Sequence, residues 1–373
     1  MGEIQGRPFQ FAVNACPEVN LQDSGIAPSG GPVAQRKRGK RLGFFRPLLT
    51  IARQGIVWSP LKIAGESWRG LISMSIWREI LDLLKLEPFD EIIESNPALA
   101  FKYVVSNYIA RGLTLAERAS CFLHHYNCIR VALPTEILRQ ILQGDVEFHR
   151  ISKGDNWFAL VIGLPKPHID REGELCLSLV VNDQKVFNLC FTIVPGSVVK
   201  SEFTEALLIT HLQGVKGCNT QIQLARKAFR DYSPRVLLLA ALQGVADALG
   251  ILRIEAVCAT KQRSYTKECS YTLIRGYDDF FTKAGMVKTA AGFYSSPVPI
   301  EGKPLASYRG RNRTRARKRR AMRKQIQSAC TALLSGPADR VALASSVDVN
   351  SIPIPGAVGH SQTPLLAPDR VAI

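Results

Sequence analysis

The chain has 373 residues, 46% apolar and 21% charged, which is a globular composition with enough length to bury a core. Its formal net charge is +17, yet RGRNRTRARKRRAMRK at residues 309–324 and RKRGKR at residues 36–41 hold most of that excess. The remainder is close to neutral, so the charge predicts an anionic partner for two strips and excludes a uniformly basic surface.

Residues 1–45 mix Gly, Pro, Ser and basic residues without apolar periodicity and are expected to be a disordered basic tail. The opening MGEIQGRPFQF lacks the apolar stretch of a signal peptide, and no run of about eighteen apolar residues suggests a membrane span. The nine cysteines include no CxxC pair and read as free thiols in a reducing compartment, so we expect a cytoplasmic protein. FFRPLLTIARQGIVW, which follows RKRGKR, is expected to be a first packed helix, with peripheral contact on a membrane surface as the alternative.

Residues 46–145 are expected to form a helical subdomain. SWRGLISMSIWREILDLLKLEP has apolar residues every three or four positions and stops before Pro88. NPALAFKYVVSNYI begins with Asn96 as a cap and Pro97 at the first helical position. TLAERASCFLHHYNCIRVAL opens at Thr114, with Glu117 placed to close a capping box, and PTEILRQILQG ends at Gly144.

The period changes near His149, and residues 146–326 are expected to form a mixed, largely antiparallel sheet domain. WFALVIGLP, ELCLSLVVN, KVFNLCFTIVPG and EALLITHLQG are Val/Leu/Ile/Phe-rich runs separated by turn residues, with a hairpin at Asn182–Asp183. NTQIQLARKAFRDY and SPRVLLLAALQGVADALG follow as helices. The second has Ser233 as its cap, Gly250 as its end and apolar residues on most sides. ILRIEAVCA is a strand, and YDDFFTKAGMVKTAAGFYSSPVPI leads to the second basic strip. Residues 327–373 are expected to be a disordered tail. The fold class is therefore α+β.

ERASCFLHHY, REGELCLSLVV, VFNLCFTIV, LQG at residues 212–214, SPRVLLLAAL, YDDFFTKAG, GFYSSPVPIEGKPL and the closing Arg-rich strip occur in one order. In this the chain resembles the VirK/YbjX family of bacterial proteins over about residues 88–322. That resemblance implies a domain of unknown biochemical function in a setting of virulence and of envelope or peptide stress in Gram-negative bacteria.

The succession PRVLLLAALQGVADALGILRIEAV, then YDDFFTKAGM and a further strand, is also similar to the end of the GCN5-related N-acetyltransferases. This second resemblance implies acyl-coenzyme A as the cofactor, with its pyrophosphate on backbone amides at a helix N-terminus. The candidate residues are Gln213, Gly214, Gly217 and Arg235. The chain departs from the family's Gln/Arg-x-x-Gly-x-Gly/Ala loop, since QGVKGCN spaces its glycines differently and RDYSPR has none. Tyr277 would be the general acid for the departing thiolate, or else an aromatic packed on the sheet. Glu255 would be the general base for an amine, or else a solvated strand-edge carboxylate.

Glu117, Cys121, His124 and Cys128 lie on one helical stripe and are zinc-compatible types. One straight helix rarely converges four ligands, however, so no metal is expected, and the stripe reads as a polar packing seam. In the strip, Arg309, Arg311, Arg313, Arg315, Arg317, Arg319 and Arg320 suit phosphate contact through guanidinium forks. Only Tyr308 accompanies them, so base stacking is not indicated. Nucleic acid, lipopolysaccharide, phospholipid headgroups and an acidic protein all satisfy this chemistry, as does a purely solubilising role. The sequence thus supports an N-acyltransferase acting on an amine or a non-catalytic binding module for anionic polymers or membranes.

Overall fold

A computed structural model describes residues 74–336. The expected N-terminal tail, the RKRGKR strip, the FFRPLLTIARQGIVW helix and the chain from residue 337 lie outside the described residues. Among the described residues no helix is long and apolar enough to cross a membrane. The α+β expectation holds: a helical N-terminal region precedes an eight-stranded, mostly antiparallel sheet.

The helical region begins with α1 (Met74–Leu84) and α2 (Phe89–Ser95). The segment Pro97–Val104 is a 3₁₀ helix rather than the expected α-helix, and Asn96 makes no side-chain cap. Residues 99–104 are all buried, so packing on every side, rather than one apolar stripe, sets the tighter turn. In α3 (Leu115–Ala132) the capping box forms as its sequence predicts. The Thr114 hydroxyl accepts from the Glu117 N–H at 3.2 Å, and the Glu117 carboxylate accepts from the Thr114 N–H at 2.8 Å. α4 (Thr135–Gln143) ends at Gly144 in an extended conformation.

A buried carboxylate joins these helices to the sheet. Glu174, 1% exposed, accepts from Tyr108 and Tyr126 at 2.6 Å each and pairs with Lys102 at 2.9 Å. Such a charge is tolerable only because a cation and two hydroxyls replace its water. His125 adds a second tie, since its Nδ1 accepts the Ile193 N–H at 3.1 Å.

Strands β1 (Val146–Lys153), β2 (Asn156–Gly163), β3 (Leu175–Val181), β4 (Gln184–Pro195) and β5 (Glu205–Gly214) form an antiparallel meander. The first of them, VEFHRISK, carries too little apolar alternation to be visible in the sequence. Asn182 and Asp183 both have positive φ, as a two-residue hairpin turn of the mirror-image type requires.

β5 then pairs in parallel with β6 (Arg253–Val257), which pairs with β8 (Phe293–Pro297) and through it with β7 (Val287–Lys288). A parallel neighbour demands a crossover, supplied by α5 (Asn219–Ala228) and α6 (Pro234–Leu249). α6 is buried along nearly its whole length, as its continuous apolar run predicts, and Gly250 closes it with φ 68°. Between β6 and β7 a helical turn Ser270–Leu273, a π-helical turn Ile274–Asp278 and the helix Asp279–Lys283 run on as α7.

The basic strip becomes the first part of α8 (Gly310–Leu334). This helix continues past residue 326, where the tail was expected to begin, and buries Ile326, Cys330 and Leu334. It lies on α6 at Gly244, where an added Cβ would come 2.4 Å from the Gln327 carbonyl. Thr331 donates to the Gly244 carbonyl at 3.0 Å, and Gln327 donates to Asp247 at 2.7 Å.

Candidate functional site at the end of the parallel strands

β5 and β6 are registered at three positions only: Leu207 with Ile254, Leu208 with Glu255 and Ile209 with Ala256. Beyond them β6 stops at Val257, while β5 runs on to Gly214 bonded to β4 alone. The divergence coincides with a bulge. His211 faces Cys190 and Ile209 faces Phe191, so Thr210 is the extra residue. Its hydroxyl donates to the carbonyls of Glu172 and Cys190, which holds the bulge in place.

Tyr277, in the π-helical turn of α7, enters the gap. Its hydroxyl accepts the Leu212 N–H at 3.0 Å and the Gln213 amide at 3.2 Å. Its ring packs edge-on against Phe281, as the packed-aromatic alternative expects. Burial, with the Glu172 charge second, raises its pKa above the usual phenol value, so the hydroxyl is held protonated.

Beside it lies a pair that the sequence reading missed. His211 Nδ1 stands 2.6 Å from Glu172 Oε2, which also accepts from Gln262 at 2.7 Å, and Arg263 approaches the other oxygen at 4.0 Å. The dyad residues are 6% and 7% exposed. A histidine inside the strand run ITHLQG, two residues before Gln213, was the available signal. Its carboxylate partner comes from the 3₁₀ turn Asp170–Glu172, which no local pattern connects to it.

Gln213 and Tyr277 are thus brought together, and Arg235 joins them. Its guanidinium lies against Gly276, where an added Cβ would be 3.7 Å from Nη2, and over the Phe280 ring at 5.7 Å. Arg235 has no carboxylate partner among the described residues, and burial lowers its pKa. It occupies the first turn of α6, whose cap residue Ser233 makes no side-chain hydrogen bond. Next to that helix start, Arg319 stacks over Tyr232 at 5.1 Å. Burial raises the Tyr232 pKa, against the opposing charges of Arg323, Arg319 and Arg320.

Gly214 and Gly217 precede α5 instead, with Gly217 at φ 82°. Glu255 is 2% exposed, not solvated. It accepts from Ser295 and lies 3.5 Å from Arg253, partners outside the Tyr277 group. Burial raises its pKa, with Ser295 and Arg253 opposing. In the strip, Arg309 is the residue before α8 and is exposed, as are Arg311, Arg313, Arg315 and Arg317, while Arg319 and Arg320 are half-buried.

The model of a family described as a protein of unknown function (DUF535) matches residues 67–332. No curated protein and no solved structure matches the chain.

Proposed function

We propose that this chain, which belongs to the DUF535 family of proteins of unknown function, is an acyl-coenzyme A-dependent N-acyltransferase. The observation that carries this reading is the short parallel register of β5 and β6, with the Tyr277 hydroxyl on the Leu212 N–H just beyond it. A closed sheet would leave no room for an acyl chain between those strands. The donor fits the residues present: an unpaired arginine, whose guanidinium lies against Gly276 beside Tyr277, favours a phosphate, and it stands in the first turn of a helix with no side-chain cap. When bound, the donor supplies an activated acyl thioester.

The chain's own groups supply the rest. The Leu212 N–H is available to the acyl carbonyl oxygen once Tyr277 turns from it, and a backbone donor aimed at developing negative charge lowers the barrier. His211, oriented by Glu172, takes the proton from the attacking amine. Tyr277, kept protonated by burial, gives its proton to the departing thiolate. Amide and free thiol are the products, and His211 returns its proton to Tyr277 through solvent. The resemblance to VirK/YbjX proteins supports a setting of virulence or envelope stress, with an amine of an envelope or peptide substrate as acceptor, and the free cysteines support a reducing, cytoplasmic compartment.

Isothermal titration with acetyl- and longer acyl-coenzyme A tests the reading. Saturable binding is expected, and no heat at millimolar ligand would sink it.

A second reading rests on α8. Arg311, Arg313, Arg315 and Arg317 are exposed and have no acid partner among the described residues, which suits a non-catalytic module for nucleic acid, lipopolysaccharide or a membrane surface. It predicts retention on heparin or anionic vesicles that weakens steeply with salt. Retention unchanged after those four arginines are replaced by glutamine refutes it.

A further inference from the structure

Away from the splayed strands, α3 and β5 bring three metal-ligating side chains together. His124 Nε2 lies 3.0 Å from Glu205 Oε2, and Cys128 Sγ lies 3.4 Å from His124 Nε2 and 3.3 Å from the same carboxylate oxygen. Among the described residues this is the one group of three such side chains whose ligand atoms all fall within 4.8 Å. We propose that it is a zinc-binding site, with His124 Nε2, Cys128 Sγ and Glu205 Oε2 as its protein ligands.

The triangle has the right size. Tetrahedral zinc, with bonds of about 2.0–2.1 Å to nitrogen, 2.3 Å to sulfur and 2.0–2.2 Å to oxygen, sets its ligand atoms roughly 3.3–3.6 Å apart. The observed edges are within a few tenths of an ångström of this, so an ion just off the triangle's plane reaches all three without backbone movement. The spacing of His124 and Cys128 puts them on one face of α3, and Glu205 opens β5. Two elements therefore converge, which the four-residue stripe on one helix could not do. Glu117 is committed to its capping box, and Cys121 is buried in the core.

The charge balance points the same way. Neither Cys128 nor Glu205 has a lysine or arginine partner among the described residues; the Cys128 thiol instead donates to Glu205, which also meets His124, so a divalent ion would take the place of that thiol proton and be met by two anionic ligands. Beside Cys128 and Glu205 opens a groove of about 330 Å³, lined also by Val131, Ile193, Leu249 and Ile251. Three protein ligands would leave a fourth position for water, and two of the three, Cys128 and Glu205, border this groove. Three protein ligands and an open position are the composition of a catalytic rather than a purely structural zinc.

The test uses untagged protein, stripped with a chelator and titrated with Zn²⁺ against a chromophoric competitor, then with Co²⁺. One zinc per chain is expected, and cobalt should show a thiolate-to-metal charge-transfer band with tetrahedral d–d bands. Cys128→Ser and His124→Gln should each weaken zinc by about a hundredfold, the order of one lost ligand. Cys269→Ser, at an exposed thiol elsewhere, should change nothing. Should Cys128→Ser fail to fold, as judged by circular dichroism, Glu205→Gln takes its place, with loss of the tetrahedral cobalt spectrum expected. Wild-type protein that takes up no zinc, or a ligand variant that binds it as tightly as wild type, overturns the proposal.

Discussion

The Tyr277 hydroxyl sits 3.0 Å from the backbone nitrogen of Leu212, where the edge of β5 has left its parallel neighbour. A side chain from another element thus satisfies a donor that the sheet has released. This makes Tyr277 both a plug and the candidate acid. Tyr277→Phe removes the hydroxyl and leaves the Leu212 N–H without its acceptor, at a cost of about 1–3 kcal/mol. Turnover of an amine acceptor should fall by roughly a hundredfold or more, the scale of a lost acid. Affinity for acyl-coenzyme A should hold or rise as the plug is removed. Chemical denaturation, titration and a thiol-release assay separate the three effects.

Arg235→Gln removes a guanidinium that, among the described residues, has Phe280 as its one ring contact and pairs with no acid. Little stability should be lost. Affinity for acyl-coenzyme A should drop roughly tenfold to a hundredfold, the worth of one charge-assisted hydrogen bond. Equal affinity in the two proteins would remove the phosphate from the start of α6.

At Gly244 the backbones of α6 and α8 approach so closely that a Cβ would lie 2.4 Å from the Gln327 carbonyl and 2.8 Å from the Cys330 Cβ. Gly244→Ala should destabilise by about 1–3 kcal/mol through overpacking, read as a lower denaturation midpoint at an unchanged slope.

His125 is wholly buried, and its pKa is pushed down to about 3, first by burial and then by the charges of Lys102 and His124. In the unfolded chain it returns to about 6.5. Between those values the unfolded state binds the proton that the folded state refuses. The contribution is therefore fully present above about pH 6.5 and declines by about 1.4 kcal/mol per unit as pH falls toward 3. His125→Gln should remove that slope, so wild type should lose about 2 kcal/mol more than the variant between pH 6.5 and 5. Urea denaturation across this range checks it.

Lys102→Met leaves Glu174 buried with two tyrosines but no cation. The expected loss is about 3–5 kcal/mol, and pairing the change with Glu174→Gln should recover part of it. Recovery in the double variant distinguishes an uncompensated charge from a simple packing defect.

Strong local signals carried most of the architecture. The capping box at Thr114, the Asn182–Asp183 turn, the meander and the apolar α6 with its Gly250 end are all legible because each rests on a few neighbouring residues. β1 was not, since its burial follows no clean alternation and its pairing with β2 decides its conformation. Within the candidate site, Tyr277, Gln213 and Arg235 were legible as residues and meet in space. The His211–Glu172 pair and the Cys128–Glu205 contact were not, because each joins segments separated by 39 and 77 positions. Only the sheet register and the docking of α3 set those distances.

The clamp between α6 and α8 also fixes how the cations are displayed. With a rise of about 1.5 Å per residue, residues 310–324 of the basic strip become a rod of roughly 22 Å with its guanidiniums at set intervals. A polyanion meeting it finds a ruler instead of a pliable tether. Its grip should then depend on the spacing of the anions as much as on their number, and binding should occur with no gain in helicity.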